Sequence, residues 1–187
     1  MLFDTYAFFM NMEDLFQIWY TVRWVDSCLG FCLVHRTDMT RDDSINHIRM
    51  KKMKVVLIDG QGGRLGQLLA EEITGTNLKN CHLIAIGTNS IATSAMLKGG
   101  ASQGATGENP VIVACRDADV IIGPIGIISA DSLLGEITPA MAVAIGQSRA
   151  MKLLLPVSHC NNQVIGVQSL TMKEMVAATV ERLKELC

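Results

Sequence analysis

Aromatic side chains are missing from most of this chain. Every Phe, Trp and Tyr lies between Phe3 and Phe31, and none follows. Aromatic residues usually contribute much of the buried area of a folded core. The sequence therefore predicts two segments of different origin, an aromatic-rich N-terminal extension at 1–52 and a folded domain at 53–187.

Three interpretations of the extension stay open. It is a genuine N-terminal segment, an amphipathic arm that packs on the domain or on a partner, or spurious upstream sequence that precedes the true start at Met50 or Met53. The last is favoured because Met53 directly precedes the first predicted strand. In that case residues 1–52 are expected to be poorly ordered.

Long apolar runs, basic runs and Cys-x-x-Cys pairs are also missing. Charged residues interrupt each apolar stretch of the extension, which argues against a membrane span or a secretory signal. The 16 Lys and Arg residues nearly balance the 18 Asp and Glu residues, so no basic face for nucleic acid is expected. The six scattered cysteines are typical of reduced thiols, predict no metal site and favour a cytoplasmic location.

A glycine-rich turn is the most informative feature that is present. The apolar run from Val55 to Ile58 stops at Asp59, and Gly60-Gln-Gly-Gly-Arg-Leu-Gly66 leads into a helix-favouring segment. This is the pattern of a strand, a tight turn and a helix whose free N–H groups favour an anion. The spacing is G-x-x-G-x-x-G rather than G-x-G-x-x-G, so the dinucleotide-binding signal is weakened. The alternative is a turn whose glycines serve packing only.

Further strands and helices alternate along the domain. We predict strands at 82–86, 120–122 and 152–155, a last short strand at 164–167, and a loop at 104–107. Predicted helices cover 91–98 and a largely buried 140–149. The segment 108–116 fits either a helix, which Pro110 favours, or a strand, which Val-Ile-Val favours, and the helix is preferred. Thr171 and Glu174 form a predicted capping box that opens an amphipathic C-terminal helix to about Leu186. Continuous apolar strands between helices predict an α/β fold, a three-layer Rossmann-like sandwich with a mostly parallel sheet.

Ligands of open parallel sheets bind beyond the carboxyl ends of the strands, so the residues that follow each strand predict the site. We expect a small-molecule ligand there. The candidate cofactor-binding residues are Gly60, Gln61, Gly62, Gly63, Arg64, Leu65, Gly66, Thr88, Asn89, Ser90, Gly123 and Gly126. A typical NAD site has an acid at the end of the second strand, where this chain has Thr88, Asn89 and Ser90. These three polar residues could still hydrogen-bond a ribose, so NAD and NADP stay open as cofactors.

Four residues are candidates for catalysis. Asp59 ends the first strand, Asp131 and Glu136 are predicted to act as paired carboxylates, and His159 precedes a cysteine in the last predicted loop. Three of them have a simpler alternative: turn hydrogen bonding for Asp59, and surface charge or helix-start electrostatics for Asp131 and Glu136.

Several of these motifs resemble one family. They are Asp59-Gly-Gln-Gly-Gly63, Gly87-Thr-Asn-Ser-Ile-Ala-Thr-Ser94, Gly104-Ala-Thr-Gly-Glu-Asn109, Ile122-Gly-Pro-Ile-Gly126 and Asp131-Ser-Leu-Leu-Gly-Glu-Ile-Thr-Pro139. Their order from about Met53 to Leu186 resembles the bacterial family catalogued as domain of unknown function 3842. The resemblance implies a compact Rossmann-like cytosolic protein and supplies no substrate or catalytic residue. Arg64 departs from the small residue expected at its position.

Three functions follow from these observations. The first is binding of a nucleotide, a dinucleotide or another phosphorylated small molecule. The second is an enzyme that acts on a small phosphorylated metabolite by acid–base chemistry. The third is a non-catalytic sensor or a homo-oligomeric assembly module, for which the two apolar helices near the C-terminus would serve as contact surfaces.

Overall fold

The domain is built on one five-stranded sheet. The computed structural model describes residues 52–157, 164–167 and 170–187. The strands are β1 (Met53–Asp59), β2 (Cys81–Gly87), β3 (Gln103–Thr106), β4 (Val120–Pro124) and β5 (Met151–Leu155). They are arranged in the order β3-β2-β1-β4-β5, and every neighbouring pair is parallel. The expected α/β fold with a parallel sheet is therefore confirmed.

Both faces of the sheet are covered, which explains the continuous apolar strands. Side chains of successive residues in a strand point to opposite faces. In β1, Val55 and Leu57 belong to one buried cluster, whereas Val56 and Ile58 belong to a second cluster. All four side chains are fully buried. The sheet is therefore the middle layer of three, and a polar residue at any of these four positions would lose its hydration without a partner.

Helices connect the strands and form the outer layers. They are α1 (Arg64–Gly75), α2 (Ser90–Lys98), α3 (Glu108–Cys115), α4 (Pro139–Gln147) and α5 (Met172–Leu186). The first cluster contains buried residues of α1, α2 and α5, and the second contains those of α3 and α4.

Side-chain caps set the starts of several helices. Thr138 accepts a hydrogen bond from Met141 N–H, and Pro139 occupies the first turn of α4. The predicted capping box at α5 is confirmed, because Thr171 Oγ1 accepts from Glu174 N–H and the Glu174 carboxylate accepts from Thr171 N–H. The first residues of these helices therefore follow from local sequence.

Two element predictions are wrong in kind. The segment Gln103–Thr106, predicted as a loop over 104–107, is an edge strand that pairs with β2. Its polar, glycine-containing sequence lacks a strand pattern, and the pairing is supplied by backbone groups. Conversely, 164–167 is not a strand: Ile165 and Gly166 form a turn, and Ile165 is 85% exposed.

The extent of burial of α4 was also predicted too generously. Met141, Ala142 and Ile145 face the core, but Val143 is exposed. A helix in an outer layer buries only one stripe of its surface. Its apolar composition therefore exceeds what the core requires. Among the described residues, no helix combines the length and apolar character needed to cross a lipid bilayer.

The strand order creates a switch point between β1 and β4. From β1 the chain runs outward to β2 and β3, then returns to place β4 on the other side of β1. In open parallel sheets, the crevice at such a point is where ligands bind. Asp59 ends β1 and Pro124 ends β4, so a ligand site is expected between the loops that follow these two strands.

Glycine substitutions can test the packing around this point. A Cβ on Gly123 would lie 2.4 Å from Ile58 O and 2.9 Å from Ile127 Cδ1. We expect Gly123→Ala to lower the free energy of unfolding by about 1–3 kcal/mol, the usual cost of overpacking. Urea denaturation of the two proteins would measure this difference.

Gly146 in α4 is the matched control, because a Cβ there meets nothing within 4 Å. Gly146→Ala should raise the free energy of unfolding by up to about 1 kcal/mol through helix propensity. Equal effects of the two substitutions would contradict the close packing of β4 on β1.

Candidate functional site

The glycine turn after β1 is held by the carboxylate of Asp59. Its Oδ1 accepts from Gly60 N–H at 2.8 Å, and its Oδ2 accepts from Gly66 N–H at 2.6 Å. Gly60 begins the turn and Gly66 lies in the first turn of α1. One buried side chain therefore ties the end of the strand to the start of the helix and fixes the loop between them.

The surroundings of Asp59 oppose its ionisation. Burial raises the pKa of Asp59, the N–H groups of Gly66 and Gly60 offset part of that rise, and the negative charge of Glu136 adds to it. The net shift is upward. Both carboxylate oxygens are already occupied by backbone donors, so the geometry accounts for Asp59 as the organiser of the turn.

Gly63 makes the turn sharp enough for α1 to start at Arg64. Its φ of 68° lies in the left-handed region, where a Cβ is strained. A Cβ at this position would also lie 2.6 Å from Ala92 Cα in α2. Gly63 therefore serves the backbone turn and the packing of α1 against α2.

Glu136 is the second carboxylate at the turn, and it comes from a distant part of the chain. Its Oε2 accepts from Gln61 N–H at 2.7 Å, from the Thr88 hydroxyl and from Asn89 Nδ2 at 3.1 Å. Asn89 Nδ2 also donates to Gln61 O at 3.0 Å. These contacts join the loops that follow β1, β2 and β4.

The pKa of Glu136 is displaced in the opposite direction to that of Asp59. Its partial burial raises the pKa, but the hydrogen bonds from Gln61 N–H, Thr88 and Asn89 together outweigh this effect. The net pKa lies below the ordinary value for glutamate. Glu136 is therefore a carboxylate that its partners keep ionised.

The segment that delivers Glu136 has unusual backbone geometry. Asp131, Leu133 and Leu134 have φ of 62°, 54° and 61°, and Gly135 follows with φ of 86°. Left-handed backbone costs roughly 1–2 kcal/mol per residue that carries a Cβ. Leu134 is 97% exposed, so burial of its side chain does not offset that cost. The hydrogen bonds of Glu136 and the bond from Asp131 N–H to Ile137 O hold this loop in place.

A cavity of about 270 Å³ lies beside the turn. It is lined by Asp59, Gly60, Gln61, Gly62, Gly63, Arg64, Leu65, Pro124, Leu133, Val157 and Met172. Three N–H groups among its lining residues, those of Gly62, Arg64 and Leu65, donate no hydrogen bond to any described residue. The first N–H groups of a helix carry partial positive charge and favour an anion.

The structure brings together only part of the predicted set. Thr88 and Asn89 meet the glycine turn through Glu136, whereas Ser90 is the exposed first residue of α2. Asp131 is exposed at the far end of the loop that carries Glu136. His159 lies outside the described residues. Glu136 thus approaches Asp59 closely enough to raise its pKa, and the expected pairing of Glu136 with Asp131 receives no support from side-chain contacts among the described residues.

Two predicted glycines, Gly66 and Gly123, have packing roles, and a third, Gly126, is buried. Gly66 lies within α1, where a Cβ would approach Met96 Cγ at 2.6 Å. Gly123 lies within β4 against the carbonyl of Ile58, and Gly126 is buried in the short 3-10 helix Ile125–Ile128. Their contribution to ligand binding stays a prediction, because close packing already explains why two of them lack a side chain.

Sequence reasoning missed the apolar wall of the cavity. Pro124, Leu133, Val157 and Met172 come from four separate segments and line one cavity. Pro124 is the second residue after the strand predicted at 120–122, so its position at the carboxyl edge was a usable signal. Leu133 and Met172 carry no local signal, because their proximity depends on the loop conformation and on where α5 docks.

A second, larger depression lies away from these loops. It has a volume of about 600 Å³ and runs between α3 and α4 toward Arg116 and Arg149, which precede β4 and β5. The amino ends of parallel strands lie opposite the ligand-binding edge. Within the described residues, no cluster of three or more His, Cys, Asp or Glu could hold a metal ion. The carboxyl edge therefore carries the best candidate site.

Comparison with known proteins identifies one family. The family model described as Domain of unknown function (DUF3842) matches residues 54–187. The chain therefore belongs to this family, and the family membership expected from its motifs is confirmed. Searches of curated proteins and of solved structures found no significant match.

The hydrogen bonds of Glu136 predict a specific pH dependence. A carboxylate whose pKa is lowered by folding stabilises the folded state above its unfolded pKa of about 4.3, and this contribution is lost as the pH falls through the folded value. Glu136→Gln should therefore lower the melting temperature at neutral pH, and its difference from wild type should shrink in acid. Thermal denaturation across a pH series would measure both trends.

Asp131→Asn is the control on the same loop, since Asn tolerates the left-handed φ of 62°. Its effect on the free energy of unfolding should stay within about 0.5 kcal/mol at each pH. A Glu136→Gln difference that does not change with pH would show that the three donors do not hold the ionised carboxylate.

Proposed function

We propose that this member of the DUF3842 family binds a nucleotide, a dinucleotide or another phosphorylated small molecule at the carboxyl edge of its sheet. The phosphate would lie against the N-terminus of α1. The observation that carries the proposal is the set of three N–H groups, on Gly62, Arg64 and Leu65, that have no acceptor among the described residues and belong to residues lining the cavity.

The position of the cavity supports the same ligand class. It lies where β1 and β4 diverge, with Asp59 on one side and Pro124 on the other. This is the switch point at which doubly wound sheets bind phosphorylated ligands. The glycine turn leaves the backbone accessible, because Gln61 and Gly62 are both exposed.

The size and charge of the cavity limit the ligand further. At about 270 Å³ it lies just below the usual range of small-molecule pockets, about 300–1,000 Å³. It would therefore enclose the phosphate-bearing part of a ligand and leave the remainder along the open edge. Arg64 is the cation and Asp59 the acid among its lining residues, and Glu136 lies close to Asp59. A singly phosphorylated group or a pyrophosphate suits this charge balance better than a triphosphate.

Neutralising Arg64 tests the proposal. Titration calorimetry of the full chain with AMP, ADP, NAD and inorganic phosphate should detect binding of at least one of them. Arg64→Gln should weaken it by roughly two- to fivefold, because an exposed charge contributes up to about 1 kcal/mol. Higher salt should weaken binding as well.

Arg116→Gln is the matched control. It removes the same charge from an exposed position that precedes β4, at the opposite edge of the sheet. Its affinity should equal that of wild type. If none of the four ligands binds the folded wild-type chain at millimolar concentration, the proposed function is wrong.

Acid–base catalysis on a phosphorylated metabolite is the second candidate. It is favoured by the opposite pKa displacements of two neighbouring carboxylates, upward for Asp59 and downward for Glu136. Enzymes often separate the pKa values of an acid and a base in this way. Since both oxygens of Asp59 accept backbone N–H groups, Glu136 would be the group available to a ligand.

This candidate function predicts a difference between two variants. For a ligand that both binds and is converted, Glu136→Gln should slow turnover by about 100-fold or more, the usual contribution of a general acid or base. Asp131→Asn should retain turnover, because Asp131 is exposed at the far end of the loop that carries Glu136. Phosphorus NMR of ligand and product would follow the reaction, and undiminished turnover in Glu136→Gln would exclude Glu136 as the catalytic group.

A further inference from the structure

We propose that Glu136 is the ribose-binding acid of this site, supplied by the loop after β4 instead of by the end of β2, and that it selects a free ribose diol over a 2′-phosphorylated ribose. This inference rests on the proposed function, because it assigns one part of the same ligand. It names a nucleotide of the NAD type as preferred over its NADP counterpart.

The Glu136 carboxylate lies at the end of β2. In dinucleotide-binding sheets, an acid at the end of the second strand hydrogen-bonds the ribose hydroxyls. Here β2 ends at Gly87 and is followed by Thr88 and Asn89, neither of which is acidic. Both donate to Glu136 Oε2. The carboxylate absent from the local sequence is therefore present at the same strand end in the folded chain.

Glu136 reaches the end of β2 from the other side of β1. Strands β2 and β4 flank β1 on opposite sides, so a residue that follows β4 has to pass over the end of β1 to meet Thr88. Gly60 permits this passage, because a Cβ there would lie 2.7 Å from both Glu136 Oε2 and Thr88 Oγ1. The left-handed backbone at Leu133 and Leu134 belongs to the loop that makes the crossing.

One oxygen of the Glu136 carboxylate, Oε1, remains as an acceptor for a ligand. All three donors converge on Oε2, and no described residue donates to Oε1 of Glu136. An ionised carboxylate accepts further hydrogen bonds through its second oxygen. A glutamate is ionised at neutral pH, and the downward shift of the Glu136 pKa agrees with this, so the second oxygen is an acceptor. A ribose diol supplies two hydroxyl donors, which complement this acceptor.

The Glu136 carboxylate binds the same turn as the proposed phosphate position. Gln61 N–H binds Glu136, while the next N–H groups along the turn, on Gly62, Arg64 and Leu65, are the ones assigned above to phosphate. The N–H group that binds Glu136 and the N–H groups assigned to phosphate thus belong to one short turn, residues 61–65. A 2′-phosphate would place up to two negative charges beside the Glu136 carboxylate and be repelled. Arg64, the cation of the cavity lining, is engaged by the proposal at the phosphate instead.

Calorimetric titration of the full chain with NAD and with NADP tests the inference. Wild type should bind NAD roughly tenfold or more tightly than NADP, which corresponds to one charge-assisted hydrogen bond together with the repulsion. Glu136→Gln keeps the side-chain size and removes the charge. It should weaken NAD binding, and the affinity ratio should fall toward one.

Two controls separate a loss of recognition from a general effect. Glu108→Gln removes another carboxylate from the carboxyl edge, where Glu108 accepts from the Thr138 hydroxyl, and should keep the wild-type ratio. Thr88→Val removes one donor that orients Glu136 and should lower the ratio, whereas Thr88→Ser retains the hydroxyl and should preserve it. The Thr88 pair also serves as the test if Glu136→Gln does not fold.

Each result decides a different claim. Equal NAD-to-NADP ratios in wild type and Glu136→Gln, with both proteins binding, would overturn the inference and leave the proposed function intact. Binding by Glu136→Gln but not by wild type would also overturn it, because Glu136 would then block the site. If folded wild type binds neither nucleotide but binds ADP or phosphate, the inference fails alone, and if it binds no ligand both proposals fail.

Discussion

The double hydrogen bond of Asp59 is the constraint on which the candidate site depends. One buried carboxylate accepts from Gly60 N–H at the end of β1 and from Gly66 N–H within α1. This bridge fixes the glycine turn. It also uses the N–H groups of Gly60 and Gly66, which are therefore not available to a ligand. The donors that remain, on Gly62, Arg64 and Leu65, belong to residues that line one cavity.

The second constraint is the crossing of Glu136 over the sheet edge. Its carboxylate connects three loops that are far apart in sequence, and it does so on a segment with several left-handed residues. Unfavourable backbone of this kind persists only where other interactions determine it, and it is commonest at functional sites. Asp59 and Glu136 also affect each other, since the charge of Glu136 raises the pKa of Asp59. Ligand binding at either carboxylate would therefore be felt by the other.

Local patterns in the sequence were sufficient for the framework. The apolar runs predicted four of the five strands, and the capping residues Thr138 and Thr171 predicted two helix starts. They failed where tertiary pairing overrides composition. Gln103–Thr106 is a strand because the edge of β2 is available to it, and its own residues give no such signal. The apolar segment 164–167 lacks a strand partner within the described residues and forms a turn.

The site was predictable to the same degree and for the same reason. The glycine turn and the residues after β2 follow from strand ends, which periodicity locates. The hydrogen-bond partners of Glu136 do not follow from strand ends. Asp131 is near Glu136 in sequence, but Gln61 and Thr88 are its neighbours in space. Only the strand order, with β4 returning beside β1, places the loop after β4 over the end of β1. A strand end that lacks a local acid can therefore acquire a carboxylate through topology, and the absence of an acid directly after β2 does not by itself exclude ribose recognition.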